Sequence, residues 1–195
     1  MTSISKPPLH ILLGATGSVA SLKVPNIISA LRSRFEPEPV EIRLVVTEKA
    51  KHFFNVPATV KETGIVCYDD EEEWKVWDKV TDPVVHIDLR NWADILVVAP
   101  LDANTLAKVA GGLCDNLLTC TLRAWDTSKP VLLAPAMNTH MWNHPFTSTH
   151  LSQIAALRYR LIPPVSKRLA CGDEGMGGLA SPESIAQEVY GAMRP

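Results

Sequence analysis

The stretch "PAMNTHMW" (residues 135–142) leaves an apolar run, "VLLA", through a proline and sets one amide, Asn138, among Met137, Met141 and Trp142. Methionine and tryptophan fill apolar space, and one asparagine supplies a single placed hydrogen-bonding group. That mixture suits the wall of a pocket for a flat or sulfur-bearing ligand. A helix cap with core anchors is the competing reading, and it fits Trp142 best. A second stretch, "KRLACGDEGMGG" (167–178), puts the thiol of Cys171 after two cations, Lys167 and Arg168, and among four glycines. Nearby cations lower a thiol's pKa, which suits it to chemistry. The bland alternative is a flexible connector. Gly172, Gly175, Gly177 and Gly178 predict a mobile loop rather than a regular element.

His86 lies in "DPVVHIDLRNWAD". Helical spacing puts Asp82 and Arg90 on its side, with Leu89 and Trp92 toward the core. Spacing alone favours a surface or cap histidine satisfied by Asp82. The functional alternative is a base or carboxylate binder working near neutral pH. In "GATGSVA", Gly14 and Gly17 are spaced G-x-x-G, and the dinucleotide fingerprint G-x-G-x-x-G is absent. A helix starting near Ser18 would offer free N–H groups and its positive dipole end to a phosphate. A tight turn that needs glycine explains the motif equally well. Two more polar turns, "VVTEK" and "PLDANT", tip the balance toward a phosphate ligand. One phosphate held by small hydroxyl and amide groups fits a mononucleotide cofactor better than a dinucleotide.

The elements that would hold these residues alternate. "LHILLGATGSVASLKVPNIISALRSRF" reads as buried strand, glycine turn and amphipathic helix. "VEIRLVVTEKAKHFF" and "WADILVVAPLDANTLAKVAGGL" repeat the plan, with Asp102 as an N-cap. "KPVLLAPAMN" supplies a fourth strand, "LRYRLIPP" a short fifth, and "ESIAQEVYGAM" a closing helix. Apolar runs of this kind between helices predict an α/β fold, a parallel sheet covered on both faces. Ligands bind such sheets at the carboxyl ends of the strands, where all four polar turns fall.

The chain has 195 residues and a net charge of −2, which fits a single domain over 1–195. That charge implies no broad attraction to nucleic acid or membrane. No apolar run approaches the ~20 residues of a membrane span, and the N-terminus does not read as a secretory signal. Cys67, Cys114, Cys120 and Cys171 lack C-x-x-C spacing. They predict reduced thiols in a cytoplasmic protein, with no disulfide framework and no metal site. The acidic run "DDEEEW" (69–74) predicts a solvated face.

Taken in order, "GATGSVA", "DPVVHIDLRNWAD", "APLDANTLAKVAGGLCDNLLT", "PAMNTHMW" and "RLACGDEGMGGLA" resemble the homo-oligomeric flavin-containing cysteine decarboxylases. The resemblance runs from about Leu9 to the last helix, and the fourth and fifth motifs are highly specific together. It implies a flavodoxin-like, Rossmann-type fold, bound FMN, and a homotrimer with the flavin near a subunit interface. It also implies a substrate, 4′-phosphopantothenoylcysteine, decarboxylated to 4′-phosphopantetheine in coenzyme A biosynthesis. By position, Gly17, Ser18 and Val19 resemble phosphate-side FMN contacts. Thr47, Glu48 and Lys49 fall on a second flavin loop. Asp102, Ala103, Asn104 and Thr105 fall on a third, and Ala136 against the flavin. His86, Asn138 and Cys171 match catalytic positions. Asn138, Met141, Arg168, Ala170 and Leu179 match substrate contacts.

The implied chemistry gives each type a reason. Loss of CO₂ from a cysteine amide leaves a carbanion with no electron sink. The resemblance implies that FMN first oxidises the thiol, so that sulfur accepts those electrons and an enethiolate forms before re-reduction. His86 would act as base or carboxylate holder, Asn138 would bind the carboxylate, and Cys171 would donate the last proton. Leu179 departs from the methionine often found in related proteins, and Asp102 from the serine of some. An acid near a phosphate predicts that Asp102 acts through its backbone or as a cap. Some relatives regulate a protein phosphatase instead; their long acidic tails are not found in this sequence, and its His, Asn and Cys set is complete. A flavin prenyltransferase is the other alternative, and "ACGDEG" and "PAMNTHMW" argue against it.

Overall fold

The computed structural model describes residues 7–168, 172 and 174–194. A six-stranded parallel sheet forms its centre: β1 (Leu9–Ala15), β2 (Val40–Val46), β3 (Val66–Tyr68), β4 (Ile95–Leu101), β5 (Val131–Pro135) and β6 (Arg160–Leu161), in the order β3-β2-β1-β4-β5-β6. The four long strands read as continuous apolar runs because helices cover both faces. Ile11 and Leu13 join one core with Ile27 and Leu31 of α1 (Val24–Phe35) and Ile185 and Val189 of α9 (Pro182–Met193). Leu12 and Val98 join the other, with Leu89 of α4 (Val85–Trp92), Leu106 of α5 (Ala103–Gly111) and Leu118 of α6 (Leu117–Arg123). Each such fully buried Leu or Ile contributes about 1.5–3 kcal/mol.

The strand order sets the site. From β1 the chain moves outward to β2 and β3, then returns to place β4 on the other side of β1. The crevice outside the carboxyl ends of β1 and β4 is therefore the topological switch point, where ligands of doubly wound sheets bind.

The remaining helices are α2 (Val56–Thr63), α3 (Asp70–Lys75), α7 (Thr139–Trp142) and α8 (Pro145–Ala156). Four features differ from the expectations. No α-helix begins near Ser18: that residue caps a 3-10 turn, Val19–Lys23, and α1 starts beyond it at Val24 with proline in its first turn. Strand β3, only three residues long, carries no periodicity that sequence could reveal. The glycine-rich stretch is not simply a loop. Part of it is strand β8 (Glu174–Gly178), paired antiparallel with β7 (Val165–Arg168). Gly175 and Gly177 adopt φ values of 155° and 129°, and glycine permits the latter where other residues strain. Finally, "DDEEEW" is not a wholly solvated face: it contains most of α3, whose Glu73 is buried.

Candidate functional site

The four strand-end turns are tied to one another by hydrogen bonds. Thr16, fully buried after β1, donates its hydroxyl to the Pro100 carbonyl at 2.9 Å and accepts from the Asp102 N–H at 2.7 Å. Ser18 donates its hydroxyl to the Ala136 carbonyl at 3.1 Å, and Ala136 N–H donates to Leu101 O at 2.9 Å. Gly17 sits where three turns converge. A Cβ there would lie 2.7 Å from Lys49 Cβ and 3.0 Å from Asp102 Oδ2, so only glycine lets them approach. Gly14 has a different reason: a Cβ there would meet Leu118 Cδ1 at 2.7 Å, so it serves packing under α6.

Asp102 caps α5, its Oδ1 accepting from the Thr105 N–H at 2.6 Å. Its own N–H is engaged by Thr16. Thr105 is buried, Ala103 half-buried and Asn104 exposed at the head of that helix. Thr47, after β2, is buried, and its Oγ1 has no hydrogen-bond partner among the described residues. A buried hydroxyl left unpaired costs about 1–3 kcal/mol, so it signals a missing partner.

Two cavities flank this knot. One, of about 410 Å³, is lined by Ser18, Val19, Ala136, Met137 and Asn138 on one side and by Gly177, Gly178 and Leu179 on the other. Lys23, Lys167 and Arg168 also line it. The second, of about 680 Å³, is lined by Gly17, Glu48, Lys49, Lys51, His52 and Phe53. Both fall within the ~300–1,000 Å³ of ligand pockets. Expected cofactor residues (Ser18, Val19, Ala136) and expected substrate residues (Asn138, Arg168, Leu179) thus share one cavity. Met137 is buried in its wall and Trp142 packs against the core, whereas Met141 is 48% exposed and lies outside the lining. Asn138 caps α7, its Oδ1 accepting from the His140 N–H at 2.8 Å. Ala170 and Cys171 lie outside the described residues.

His86 is not part of either lining. It sits on α4, its Nδ1 2.6 Å from Oε1 of the buried Glu73. Asp82, the partner that spacing suggested, accepts instead from the N–H groups of Asp78 and Lys79, because α4 begins only at Val85. The partner came from the acidic run, thirteen residues upstream.

The Flavoprotein family model matches residues 2–194. The chain belongs to the Flavoprotein family. It is 50% identical over 184 residues to phosphopantothenoylcysteine decarboxylase of Mus musculus, covering 94% of this chain and 87% of the mouse protein. It is 52% identical over 188 residues to the Arabidopsis thaliana protein of that name, covering 96% and 86%. Among solved structures it resembles a cysteine-to-serine mutant of PPC decarboxylase complexed with pantothenoylaminoethenethiol. That match has a TM-score of 0.91 and 48% identity, over 97% of this chain and all of the other. It also resembles the FMN binding protein AtHal3, with a TM-score of 0.84 and 50% identity over 94% and 96%. The parallel sheet is the flavodoxin-like one expected.

Within this Flavoprotein family member, sequence reasoning missed Thr16, Glu73 and the seat of β8. The signal for Thr16 was present, in a hydroxyl between an apolar strand and Gly17. The other two depend on segments that meet only in three dimensions. Two of the described thiols, Cys67 and Cys120, are poor candidates for chemistry. Burial, aided by Asp69, pushes Cys67 up to about 12. Burial, aided by Glu73, pushes Cys120 up to about 11. Neither holds much thiolate near neutral pH.

Proposed function

We propose that this protein is an FMN-dependent carboxy-lyase that converts 4′-phosphopantothenoylcysteine to 4′-phosphopantetheine in coenzyme A biosynthesis. The observation that carries the reading is the shared cavity, which Ser18 and Ala136 line together with Asn138, Arg168 and Leu179 in a chain of this family. The residues present suit FMN. An apolar wall of Val19, Ala136 and Met137 fits a flat ring system, while the Gly17 turn lines the second cavity and the Thr47 hydroxyl, buried at the end of β2, has no partner among the described residues. Gly17, Ser18, Val19, Thr47, Glu48, Lys49, the 102–105 turn and Ala136 would hold it. Bound FMN supplies the redox chemistry that lets the cysteinyl carbon lose CO₂.

The chain's own residues bind, orient and move protons. Lys23, Lys167 and Arg168 bring three positive charges to the cavity, which suits a phosphorylated substrate. Asn138 would present Nδ2–H donors to the substrate carboxylate from a fixed strand end. Met141, Ala170 and Leu179 would complete the substrate's surroundings. Cys171 would donate the final proton from its Sγ–H, and the segment that carries it would exclude water.

His86 would act as base, and its distance from the lining bears on assembly. Exposed apolar side chains precede it in the chain, with Trp77, Val80 and Val84 at 47%, 93% and 39% exposure. Val19 and Leu22 are likewise exposed beside the cavity. Two unlike apolar patches suit head-to-tail contacts that close into a ring. A homotrimer would then bring His86 of one copy to the cavity of the next. Among the described residues, no helix is long and apolar enough to cross a membrane, and Cys67, Cys114 and Cys120 are free. Free thiols fit a cytoplasmic setting.

Purified protein is expected to be yellow and to release FMN on denaturation; recovery of FAD or a nicotinamide nucleotide would overturn the cofactor assignment. CO₂ release from 4′-phosphopantothenoylcysteine tests the reaction itself. Thr47→Val separates cofactor binding from folding. Removing a buried hydroxyl that has no partner among the described residues should leave the stability of the FMN-free protein unchanged or raised. FMN affinity should fall roughly tenfold, the worth of one lost hydrogen bond of ~1.4 kcal/mol. Unchanged affinity, by equilibrium titration, would remove Thr47 from the flavin site.

A further inference from the structure

We infer that Glu73 is a positioning residue for His86: its buried carboxylate fixes the imidazole as the Nδ1–H tautomer and leaves Nε2 as the working base. This rests on the reaction proposed above.

Glu73 is an unusual residue to bury. Its side chain is 9% exposed, and a carboxylate is seldom taken out of water unless it is paired. Its partner is the His86 ring, at 2.6 Å. An ionised carboxylate can only accept, so the proton between them sits on Nδ1, and in the neutral ring that leaves the lone pair on Nε2. The contact is long-range in structure as well as in sequence, bridging α3 and α4.

The acceptor is also held in place. Asp69 caps α3, accepting from the Glu72 N–H at 2.9 Å, and pairs with Lys51 at 2.7 Å. Burial raises the Asp69 carboxyl, but the Lys51 ammonium and the amide hydrogen bonds outweigh it and hold Asp69 below its usual range. Asp70 accepts from the Leu117 N–H at 2.8 Å, which ties α3 to α6, and α6 packs on α4. Helix α3 is thus fixed at its first turn to the β2 turn and to α6. A solvated acidic helix would need none of these ties. Their effect is to give His86 a rigid partner.

The proton transfer then balances simply. The substrate S–H bond breaks, an Nε2–H bond forms, and the resulting imidazolium already has Glu73 as counter-ion. No reorganisation of solvent is needed to stabilise that charge.

The test uses full-length protein loaded with FMN and labelled with ¹⁵N-histidine. The wild type is expected to show His86 with a protonated Nδ1 and a bare Nε2. In Glu73→Gln the side-chain amide can either accept or donate, so both tautomers should appear. For CO₂ release from 4′-phosphopantothenoylcysteine, kcat should fall roughly 10-fold or more, part of the 10²–10⁴ that a placed acid–base group supplies. KM and FMN content should change little. A wild-type His86 with its proton on Nε2 would overturn the inference, and so would Glu73→Gln with wild-type kcat. The wild-type spectrum decides even if Glu73→Gln fails to fold. Absence of CO₂ release by the wild type would defeat the proposed reaction instead, while the tautomer would still be read directly.

Discussion

His86→Asn should abolish most decarboxylation, by roughly 10²–10⁴-fold, while leaving the protein folded and yellow. The substitution is mild in the monomer. Asparagine offers an amide N–H near the place of Nδ1–H, so Glu73 keeps a donor across the 2.6 Å contact. The core neighbours Val85 and Leu89 are untouched. His86 lines neither cavity, so a loss of activity with intact flavin would mean that it reaches substrate in the assembly. Co-expression tests that directly. His86→Asn and Cys171→Ser should each fail alone to form 4′-phosphopantetheine, the product read in this experiment, because Cys171 acts only after CO₂ has left. If one copy supplies His86 and its neighbour Cys171, a random mixture restores up to about a quarter of the sites in a closed ring. Near-normal turnover by His86→Asn would return His86 to a purely structural role. No recovery in the mixture would place both residues in one copy's site.

The sheet was readable because its strands are buried on both faces. "HILLGA", "IRLVV", "ILVVAP" and "VLLAP" are too apolar and too short for anything but core strands between helices. The turns were readable for the same reason: polar groups such as Ser18, Thr47 and Asp102 stand out at the ends of such runs. What was hidden depends on long-range pairing. Glu73 sits in a run of five acids, and nothing local distinguishes it from Glu71 or Glu72, which stay exposed. Its burial is decided by α4 arriving opposite. Strand β8 was hidden by its glycines, which read locally as disorder. At Gly177 the need is not flexibility but closeness to another backbone, and no local pattern encodes that.

Gly177 makes the point testable. Its φ of 129° already disfavours any side chain, and an added Cβ would lie 2.3 Å from the Met137 carbonyl oxygen. Backbone cannot swing aside as a flexible side chain can. The same residue's carbonyl accepts from the Met137 N–H at 2.9 Å, the bond that seats β8 on the strand-end turn. Gly177→Ala must therefore lift β8 away from residues 136–138. The strain costs about 1–3 kcal/mol, less than the ~5–15 kcal/mol that holds a domain together, so the protein should fold. The cavity should not survive unchanged, because Gly177 and Leu179 form one side of it and Met137 and Asn138 the other. A displacement of about 1 Å at a reacting centre can cost ~10²-fold in rate, and that is the loss expected in CO₂ release. FMN should remain bound, since the turns at Gly17 and Thr47 are not touched. Gly191→Ala is the control: in α9 an added Cβ meets nothing within 4 Å, and the helix should gain ~0.5–1 kcal/mol with activity intact. If Gly177→Ala turns over like the wild type, the close seat of β8 on Met137 has no part in catalysis.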